Sequence, residues 1–577
     1  MNSLYLAIGA FVFYLVAYHT YGKFIARKLF NVDDKNICPS HELNDSVDYV
    51  PTSKQVLFGH HFASIAGTGP IVGPAIAVIW GWVPALLWVL LGSVLMGAIH
   101  DFGSLVVSLR KMGRSIGDIA GELINSRVKI LFLLIIFFLL LIVIAIFGVI
   151  IAAVFSIFPE SVIPIWSQIP IAIGLGYLIY KRNIKSKLLA IVAVILMYIT
   201  VVIGAYFPLP MPSGVPLGPV GLWVVILLTY AYIASILPVQ VLLQPRDYIN
   251  AYQLLVAMGL LALGIIVAQP EIVAPSVRIN VAGAPPMLPL LFVVIACGAI
   301  SGFHSLVSSG TSSKQCDTER NSLFIGFGSM LTEGMLAVFV IIACCAGLAM
   351  HLEIDGKILT GTEAFTTHYA SWSGVNTNLG TKLHAFVTGS KNMIAAAGIP
   401  AQIATTVIGV FIAAFAATTL DSATRIQRYI VSELAVHAKL PALSKKHPAT
   451  LIAVLSAFLL AFHDGAGQGA MTLWPLFGSL NQLLAGLALL VITIYLAKNR
   501  KPVIYTALPM VFMIIMTGWA MIINLEAFWI AKNVILIILS LLIMFFELWM
   551  IVESVIILRK TYLTGKSNDS NNAAEAV

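Results

Sequence analysis

Charged residues are scarce in this sequence: Asp, Glu, Lys and Arg make up only 10% of it, whereas 59% of the residues are hydrophobic. No polar region of domain size interrupts the apolar runs of about 20 residues that recur along the chain. This argues against a receptor or an enzyme that carries a soluble output or catalytic domain. The short alternating segments of a transmembrane β-barrel are also lacking, so the sequence predicts an all-α polytopic membrane protein.

Cysteine is sparse as well, with five residues in 577. All five lie in predicted helices or on the predicted cytoplasmic side, so no disulfide framework is expected. No His-Glu-x-x-His motif occurs, and we expect a protein that is not an enzyme rather than an intramembrane hydrolase. The first helix has no preceding basic residue and no small-residue cleavage site, which predicts a retained helix rather than a signal peptide.

Hydropathy predicts fifteen helices, near 4–22, 63–80, 84–109, 128–155, 163–180, 188–207, 218–243, 250–268, 288–313, 322–349, 400–424, 449–463, 472–497, 503–523 and 533–557. With the N-terminus outside and the C-terminus in the cytoplasm, only five of the 33 Lys and Arg residues face outward: Arg278, Lys357, Lys382, Lys391 and Lys532. This asymmetry satisfies the positive-inside rule. The net charge of +8 then reflects cytoplasmic loops, and no nucleic-acid partner is expected.

The stretch HHFASIAGTGPIVGP places three glycines and two prolines between Gly67 and Pro74, where the second helix begins. Irregular backbone at membrane depth is tolerated only where it is buried in protein or lines a cavity. A helix broken at Gly67, Thr68, Gly69 and Pro70 would offer carbonyls to a cation and N–H groups to an anionic substrate group. We therefore predict substrate binding there, and the alternative is a kink that serves packing alone.

Transporters built from inverted repeats carry a second interruption at the matching place in their second half. Five helices further on, the helix 218–243 contains Pro238 and Gln240, which we predict to form this second break and to contact substrate. The resulting organisation is as follows: an N-terminal helix in 1–30, a cytoplasmic loop 31–62, a transporter core 63–430 made of two inverted five-helix repeats (63–207 and 218–430), about four C-terminal helices in 449–558, and a disordered cytoplasmic tail 559–577.

Several motifs together resemble one family. They are VPTSKQVLFGHHFASIAGTGPIVGP, QPRDY, ACGAISGFHSLVSSGTSSK, TTLDSATR and LWPLFGSLNQLLAG. In this order they resemble the carbon starvation protein A (CstA) family, and the resemblance covers nearly the whole chain. It implies a leucine-transporter-type fold of the amino acid–polyamine–cation superfamily, the bacterial inner membrane, and peptides or pyruvate as substrates during carbon starvation.

One face of the helix 288–313 carries Ser301, His304, Ser305, Ser308 and Ser312. Hydroxyl groups there can join the carbonyls of the first break in a cation site, for which the candidates are Ser308, Ser309 and Thr311. His304 is a candidate for substrate contact or for pairing with an acidic group. The alternative is hydrogen bonding that only holds helices together.

Ionisable residues inside membrane helices are costly and often functional. Asp101, Glu333 and Asp421 are the candidates for carrying a proton or cation, although Asp101 could instead pair with Arg110 and Glu333 could instead form a structural hydrogen bond to a neighbouring helix. Asp421 and Arg425, four residues apart, predict either a structural ion pair or a cytoplasmic gate. Arg246 is a further gating candidate near the end of its helix.

Cys38, His41, His60 and His61 lie close together in sequence around the loop 31–62. These residue types bind transition metals, but their spacing fits no closed motif, so ordinary loop polarity is the alternative. No cofactor is otherwise required beyond the coupling ion, H⁺ or Na⁺. The outer segment 350–399, rich in Gly, Thr and aromatic residues, is predicted to form a lid of short helices.

The sequence thus predicts a secondary active symporter for a small carboxylate-bearing nutrient, with membrane lipid as a partner and homo-oligomers left open. The alternative from another class is a membrane sensor that binds the same ligand without net transport.

Overall fold

Helices dominate the computed structural model, which describes residues 1–182 and 186–574. In this part of the chain twelve helices are long and apolar enough to span a membrane, or thirteen if a bent pair forms one span. The twelve are Ser3–Leu29, Trp82–Leu109, Ser126–Ile157, Pro159–Ile179, Leu188–Tyr206, Gly218–Ile236, Leu243–Ala268, Leu323–Met350, Ala401–His437, Gly469–Lys498, Ile504–Ile530 and Val534–Ile557.

The prediction of fifteen spans is therefore too high for the described residues. The helix predicted at 449–463 is the short Lys446–Ala461, and the helix predicted at 288–313 is divided into Met287–Val294 and Gly302–Gly310. Neither half of the divided helix alone could cross a hydrocarbon core, which requires about 20 helical residues.

The bent pair is the break that the sequence predicts at Gly67 to Pro70. Its halves, Lys54–Ile65 and Gly69–Trp80, meet at an angle of 47°, and we call them the first broken span. Pro70 stands in the first turn of the second half, where a missing N–H costs no helical hydrogen bond. The span starts at Lys54 rather than at residue 63, so the predicted loop 31–62 is shorter than expected.

The second break lies elsewhere than predicted. The two halves Met287–Val294 and Gly302–Gly310 form what we call the second broken span, interrupted over residues 295–301. Pro238 instead separates two intact helices: Gly218–Ile236 ends as Leu237 turns to extended backbone, the conformation favoured before proline. Six membrane helices separate the two broken spans in the described chain. The predicted pair of inverted five-helix repeats is not confirmed by these positions.

The predicted outer segment, 350–399, does consist of short elements. A two-stranded antiparallel hairpin, Leu352–Ile354 with Lys357–Leu359, is followed by the helices Gly361–His368, Trp372–Asn376 and Leu379–Ala396. The predicted disordered tail is wrong in part, because the last helix, Val534–Ala574, continues through it. No proline follows Val534 to stop this helix, and residues 575–577 lie outside the described range.

The broken spans lie in the middle of the bundle. Among the membrane helices, Leu323–Met350, Ala401–His437 and Gly469–Lys498 are the most buried, while Ser3–Leu29 and Val534–Ile557 are peripheral. Short helices Pro39–Glu42 and Ile116–Leu123 lie between spans. The protected centre is therefore where polar residues of the broken spans meet the buried helices.

Candidate functional site

Two glycines of the first broken span allow it to pack closely against the second broken span, which runs in the opposite direction. A Cβ atom on Gly69 would lie 2.4 Å from Sγ of Cys297, and one on Gly73 would lie 2.4 Å from the carbonyl oxygen of Val294. Both separations are far below a van der Waals contact. The GTGPIVGP stretch therefore brings the two helix breaks together, which a simple kink would not require.

Next to this contact lies a fully buried group that we call the central cluster: His100, Asp101, His304 and Glu333. Oδ1 of Asp101 is 2.8 Å from Nδ1 of His100, and Oδ2 is 2.9 Å from Nδ1 of His304. Nε2 of His304 is in turn 3.4 Å from Oε2 of Glu333. A chain of proton-exchanging groups thus joins three helices. The alternative pairing of Asp101 with Arg110 is wrong, since Arg110 bonds Glu319.

Several polar atoms around this cluster are buried without a hydrogen-bond partner in the protein. They come in pairs four residues apart on three helices: His100 with Ser104, His304 with Ser308, and Ser329 with Glu333. Buried polar groups are nearly always hydrogen-bonded in native proteins. Such a concentration of unpartnered groups is typical of a site that binds water, ions or substrate rather than of a structural core.

Two of the three cation-site candidates use their hydroxyl groups locally. Ser309 donates to the Ser305 carbonyl and Thr311 to the Val307 carbonyl, whereas Ser308 has no partner. The carbonyls before the first break receive hydroxyls from a different helix, as Thr418 donates to Ala63 and Thr419 to Ser64. Ser308, Ser309 and Thr311 form no hydrogen bond with these two carbonyls, but a hydroxyl that donates to its own helix keeps an oxygen able to bind a cation.

The predicted metal site is not assembled. His60 bonds Asp247 and His61 bonds Ser312, both deep in the protein, whereas His41 bonds the exposed Asp317 at the surface. The Cys38 side chain is buried against Cys316. Among the described residues no group of three or more His, Cys, Asp or Glu side chains could hold a metal ion. His60 and His61 have different partners because consecutive residues of a helix point to different sides.

His61 nevertheless belongs near the central cluster. Its ring lies within electrostatic range of Asp101 and His304, and its Nε2 atom has no hydrogen-bond partner in the protein. Thus the first broken span contributes a histidine to the region where three other helices supply their acidic and basic groups.

A second group of polar side chains, which we call the arginine–aspartate cluster, consists of Tyr230, Arg246, Asp247 and Asp421 and joins three helices. Arg246 donates to Asp421, to the Tyr230 hydroxyl at 2.6 Å and to Asp247 at 3.1 Å. Asp247 also accepts from Nδ1 of His60 at 2.7 Å. The predicted pair of Asp421 with Arg425 is wrong, because the long Arg246 side chain reaches Asp421 from a neighbouring helix.

Arg425 serves a different contact. Its guanidinium donates to Asp48 at 2.7 Å and to carbonyls at the C-terminal end of Gly218–Ile236, including that of Leu237. Burial raises the pKa of the Asp48 carboxyl, but Arg425, Arg428, Lys314 and a hydrogen bond with Tyr429 together hold that pKa below its usual range. Cationic groups at a helix C-terminus are also favourable for the helix dipole. Arg425 therefore fastens the segment before the first broken span to the bundle.

A cavity of about 450 Å³ opens beside the contact of the two broken spans. Gly69, Gly73 and Cys297 form one wall, and the outer-segment residue Trp372 and the aromatic Trp474 lie among its other lining residues. Cys297 also lies within electrostatic range of Glu333 and Asp101. The cavity thus reaches from the predicted outer lid to the edge of the central cluster.

Pro238 and Gln240 are not brought to this site. Their segment bonds the loop before the first broken span, where Val239 N–H donates to the Val47 carbonyl, and it lies against Gly176. The residue that the sequence reasoning missed is Asn481. It bonds Ser301 and accepts from Phe303 N–H at 2.9 Å, and so caps the second half of the second broken span. The sequence feature that could have identified Asn481 is an adjacent Asn-Gln pair within an apolar helix.

Comparisons with known proteins agree with this architecture. The family model described as carbon starvation protein CstA matches residues 2–520. The chain is 33% identical over 571 residues to the peptide transporter CstA of Campylobacter jejuni, covering 90% of this chain and 79% of the relative. It is 32% identical over 587 residues to the pyruvate/proton symporter BtsT of Escherichia coli, covering 90% and 81%.

Among solved structures, a point mutant of the manganese transporter of Eremococcus coleocola matches with a TM-score of 0.50 at 12% identity. The match covers 90% of this chain and 99% of that one. At this identity the likeness shows a shared fold and nothing about substrate.

Proposed function

Because the chain belongs to the carbon starvation protein CstA family, we propose that it is a proton-coupled symporter of the bacterial inner membrane. Its cargo is a small molecule with a carboxylate, either a short peptide or pyruvate. The relatives' names and the membrane-transporter fold support transport, and the same names argue against an enzyme. We further propose the orientation that the basic residues indicate, with the N-terminus outside.

The observation that carries proton coupling is the position of Asp101 between His100 and His304, with Glu333 on the far side of His304. Histidine exchanges protons near neutral pH, and a carboxylate between two histidines can accept and release a proton without leaving a charge uncompensated.

The cavity supports the proposal that the cargo is a small molecule with a carboxylate. The N-terminus of Gly69–Ala77 faces it at Gly69, and helix N-termini favour carboxylates through their free N–H groups and dipole. Thr68, just before it, has a buried hydroxyl without a protein partner. We propose that the substrate carboxylate binds at Gly67 to Pro70 while the rest of the substrate lies against the aromatic cavity wall.

In this proposal the structure is closed toward the cytoplasm. The arginine–aspartate cluster holds the first half of the first broken span through His60, and Arg425 and Asp48 hold the segment before it. Protonation of the central cluster and binding of substrate would together release these contacts. Movement of the first broken span would then open the site to the other side.

Uptake by purified protein in proteoliposomes tests the proposal. Labelled pyruvate and a labelled dipeptide are supplied in turn under an inward pH gradient and, separately, under an inward Na⁺ gradient. The proposal expects concentrative uptake of one of them with the pH gradient alone. Uptake driven only by Na⁺ would overturn proton coupling, and saturable binding without uptake under either gradient would overturn transport.

A further inference from the structure

A long apolar groove of about 700 Å³ runs along the outside of the bundle, separate from the central cluster. It lies between the N-terminal helix and the helices Leu243–Ala268 and Leu323–Met350. The N-terminal helix contributes every third or fourth residue to it, from Leu4 to His19. At 1.5 Å per helical residue the groove is about 22 Å long, more than the ~15 Å depth of one bilayer leaflet.

The lining of the groove is apolar along most of this length. Leu4, Phe11, Met258, Leu331 and Phe339 are among its residues. The hydroxyl of Tyr14, another lining residue, turns inward and is bonded by Ser93. All three helices are apolar enough to span the membrane, so the groove lies within the hydrocarbon region and its natural contents are acyl chains.

One end of the groove is different, because two lysines, Lys23 and Lys54, lie near it. Nζ of Lys54 lies 4.4 Å above the ring of the lining residue Phe324. Lys23 follows the lining residue His19 by one helical turn, and Gly22 beside it touches Phe327 of the same turn as Phe324. Within the described chain neither lysine forms an ion pair with a carboxylate, whereas Arg110 and Lys111 do.

We propose that this groove binds an anionic phospholipid, with an acyl chain along the groove and the phosphate between Lys23 and Lys54. Basic pockets between membrane helices on the cytoplasmic side are suited to anionic headgroups. Both lysines lie on the side that the basic-residue count predicts to be cytoplasmic. The charged rim distinguishes this groove from the general lipid contact surface of the bundle.

The site is connected to the central cluster through one helix. Leu331, Thr332 and Met335 line the groove, and Glu333 on the same helix faces His304. Bound lipid would therefore support the helix that holds Glu333. The proposal does not depend on the proposed transport activity, since lipid binding is measured on its own.

The test uses the full-length protein in detergent and dioleoyl phosphatidylglycerol, with dioleoyl phosphatidylethanolamine as the zwitterionic comparison. Native mass spectrometry counts the lipid molecules retained at matched lipid concentrations. The first variant pair is Lys23→Gln with Lys54→Gln against the charge-matched control Lys439→Gln with Lys445→Gln, two exposed lysines elsewhere on the predicted cytoplasmic side. Each lost lysine is expected to weaken phosphatidylglycerol binding about fivefold.

The second variant pair fills the groove itself. Gly259 lines it and has no atom within 4 Å of its Cβ position, so Gly259→Phe should enter the groove without disturbing the fold. Gly9 is equally open but does not line the groove, which makes Gly9→Phe the matched control. Size-exclusion chromatography confirms that each variant is folded and reports its oligomeric state.

The proposal expects selective retention of phosphatidylglycerol by the native protein, and its loss in both test variants but in neither control. Equal retention of the two lipids would overturn headgroup recognition. Retention of phosphatidylglycerol by the Gly259→Phe variant at the native level would place the lipid elsewhere. A change from dimer to monomer on filling the groove, with lipid retention unchanged, would identify a second copy of the chain as the occupant and overturn the proposal.

Discussion

Nδ1 of His304 lies 2.9 Å from Oδ2 of Asp101, and both side chains are fully buried. The two residues belong to different helices, and His304 lies in the helix Gly302–Gly310, directly after the break of the second broken span. Burying a carboxylate in the membrane interior costs free energy, because the charged group loses its hydration. Ionisable groups at such positions are therefore rare and usually functional. In the proposed function, this arrangement serves proton transfer coupled to transport.

Replacing Asp101 by Asn should separate exchange from coupling. The amide keeps the size of the carboxylate but cannot take up a proton, so the pH gradient should no longer drive accumulation. Exchange of internal for external substrate should continue, because it requires no net proton movement. Counterflow and gradient-driven uptake measured side by side check this, with Asp34→Asn, an exposed carboxylate, as control. Undiminished accumulation in the Asp101→Asn variant would contradict the assignment.

Gly69→Ala should impair transport through steric overlap alone. Its Cβ would lie 2.4 Å from Sγ and 2.7 Å from Cβ of Cys297, and because a Cβ atom cannot be moved by a side-chain rotation, the backbone must shift. Replacing the partner by glycine, in Gly69→Ala with Cys297→Gly, removes both Sγ and the Cβ that would lie 2.7 Å away, and it should restore part of the activity. Gly174→Ala, where no atom lies within 4 Å, is the matched control and should be neutral. Uptake rates that do not improve in the double variant would show that Gly69 acts in another way.

Arg246→Gln should destabilise the protein markedly, since it leaves Asp421 and Asp247 buried without their cation. Breaking a buried ion pair from one side costs about 3–5 kcal/mol, whereas exposed pairs contribute about 0–1 kcal/mol. Thermal unfolding in detergent, compared with Arg320→Gln at the exposed pair with Asp34, measures the difference. Adding Asp421→Asn should recover part of the loss, and equal melting temperatures for the two single variants would contradict the account.

The outer segment should loosen in acid. Burial, and then the neighbouring His384, lower the pKa of His368 from 6.5 to about 4. The unfolded segment therefore binds more protons than the folded one between these values, and its stability is present above pH 6.5 and is lost as the pH falls toward 4. Hydrogen exchange over residues 361–396, corrected for intrinsic rates, should accelerate in that window. His368→Gln should remove this acceleration and the exposed His437→Gln should not; a native segment that exchanges equally at both pH values would refute it.

Part of this fold could be predicted from the sequence because its signals are local. The apolar runs and basic loops indicate the membrane class, and the dense glycines and prolines at Gly67 to Pro74 locate the first break. The second break has no such signal, since residues 295–301 contain one glycine and no proline. Pro238 is the stronger local signal, but it ends a helix instead of breaking one.

The candidate site shows the same division. Asp101, His304 and Glu333 could be selected one by one, because ionisable residues in apolar helices are rare. Their meeting depends on how helices far apart in sequence pack together. For the same reason the local pair of Asp421 with Arg425 is replaced by distant partners, Arg246 and Asp48. Adjacent His60 and His61 likewise serve two different clusters.

The most direct test of the central claim is to measure whether substrate carries protons with it. Proteoliposomes containing the protein and an internal pH-sensitive dye are given pyruvate or a dipeptide outside, with no initial pH or Na⁺ gradient. Proton-coupled symport predicts that the substrate acidifies the interior at a rate proportional to its own uptake, and that the Asp101→Asn variant does not. Substrate entry by the native protein without any proton flux would contradict the account.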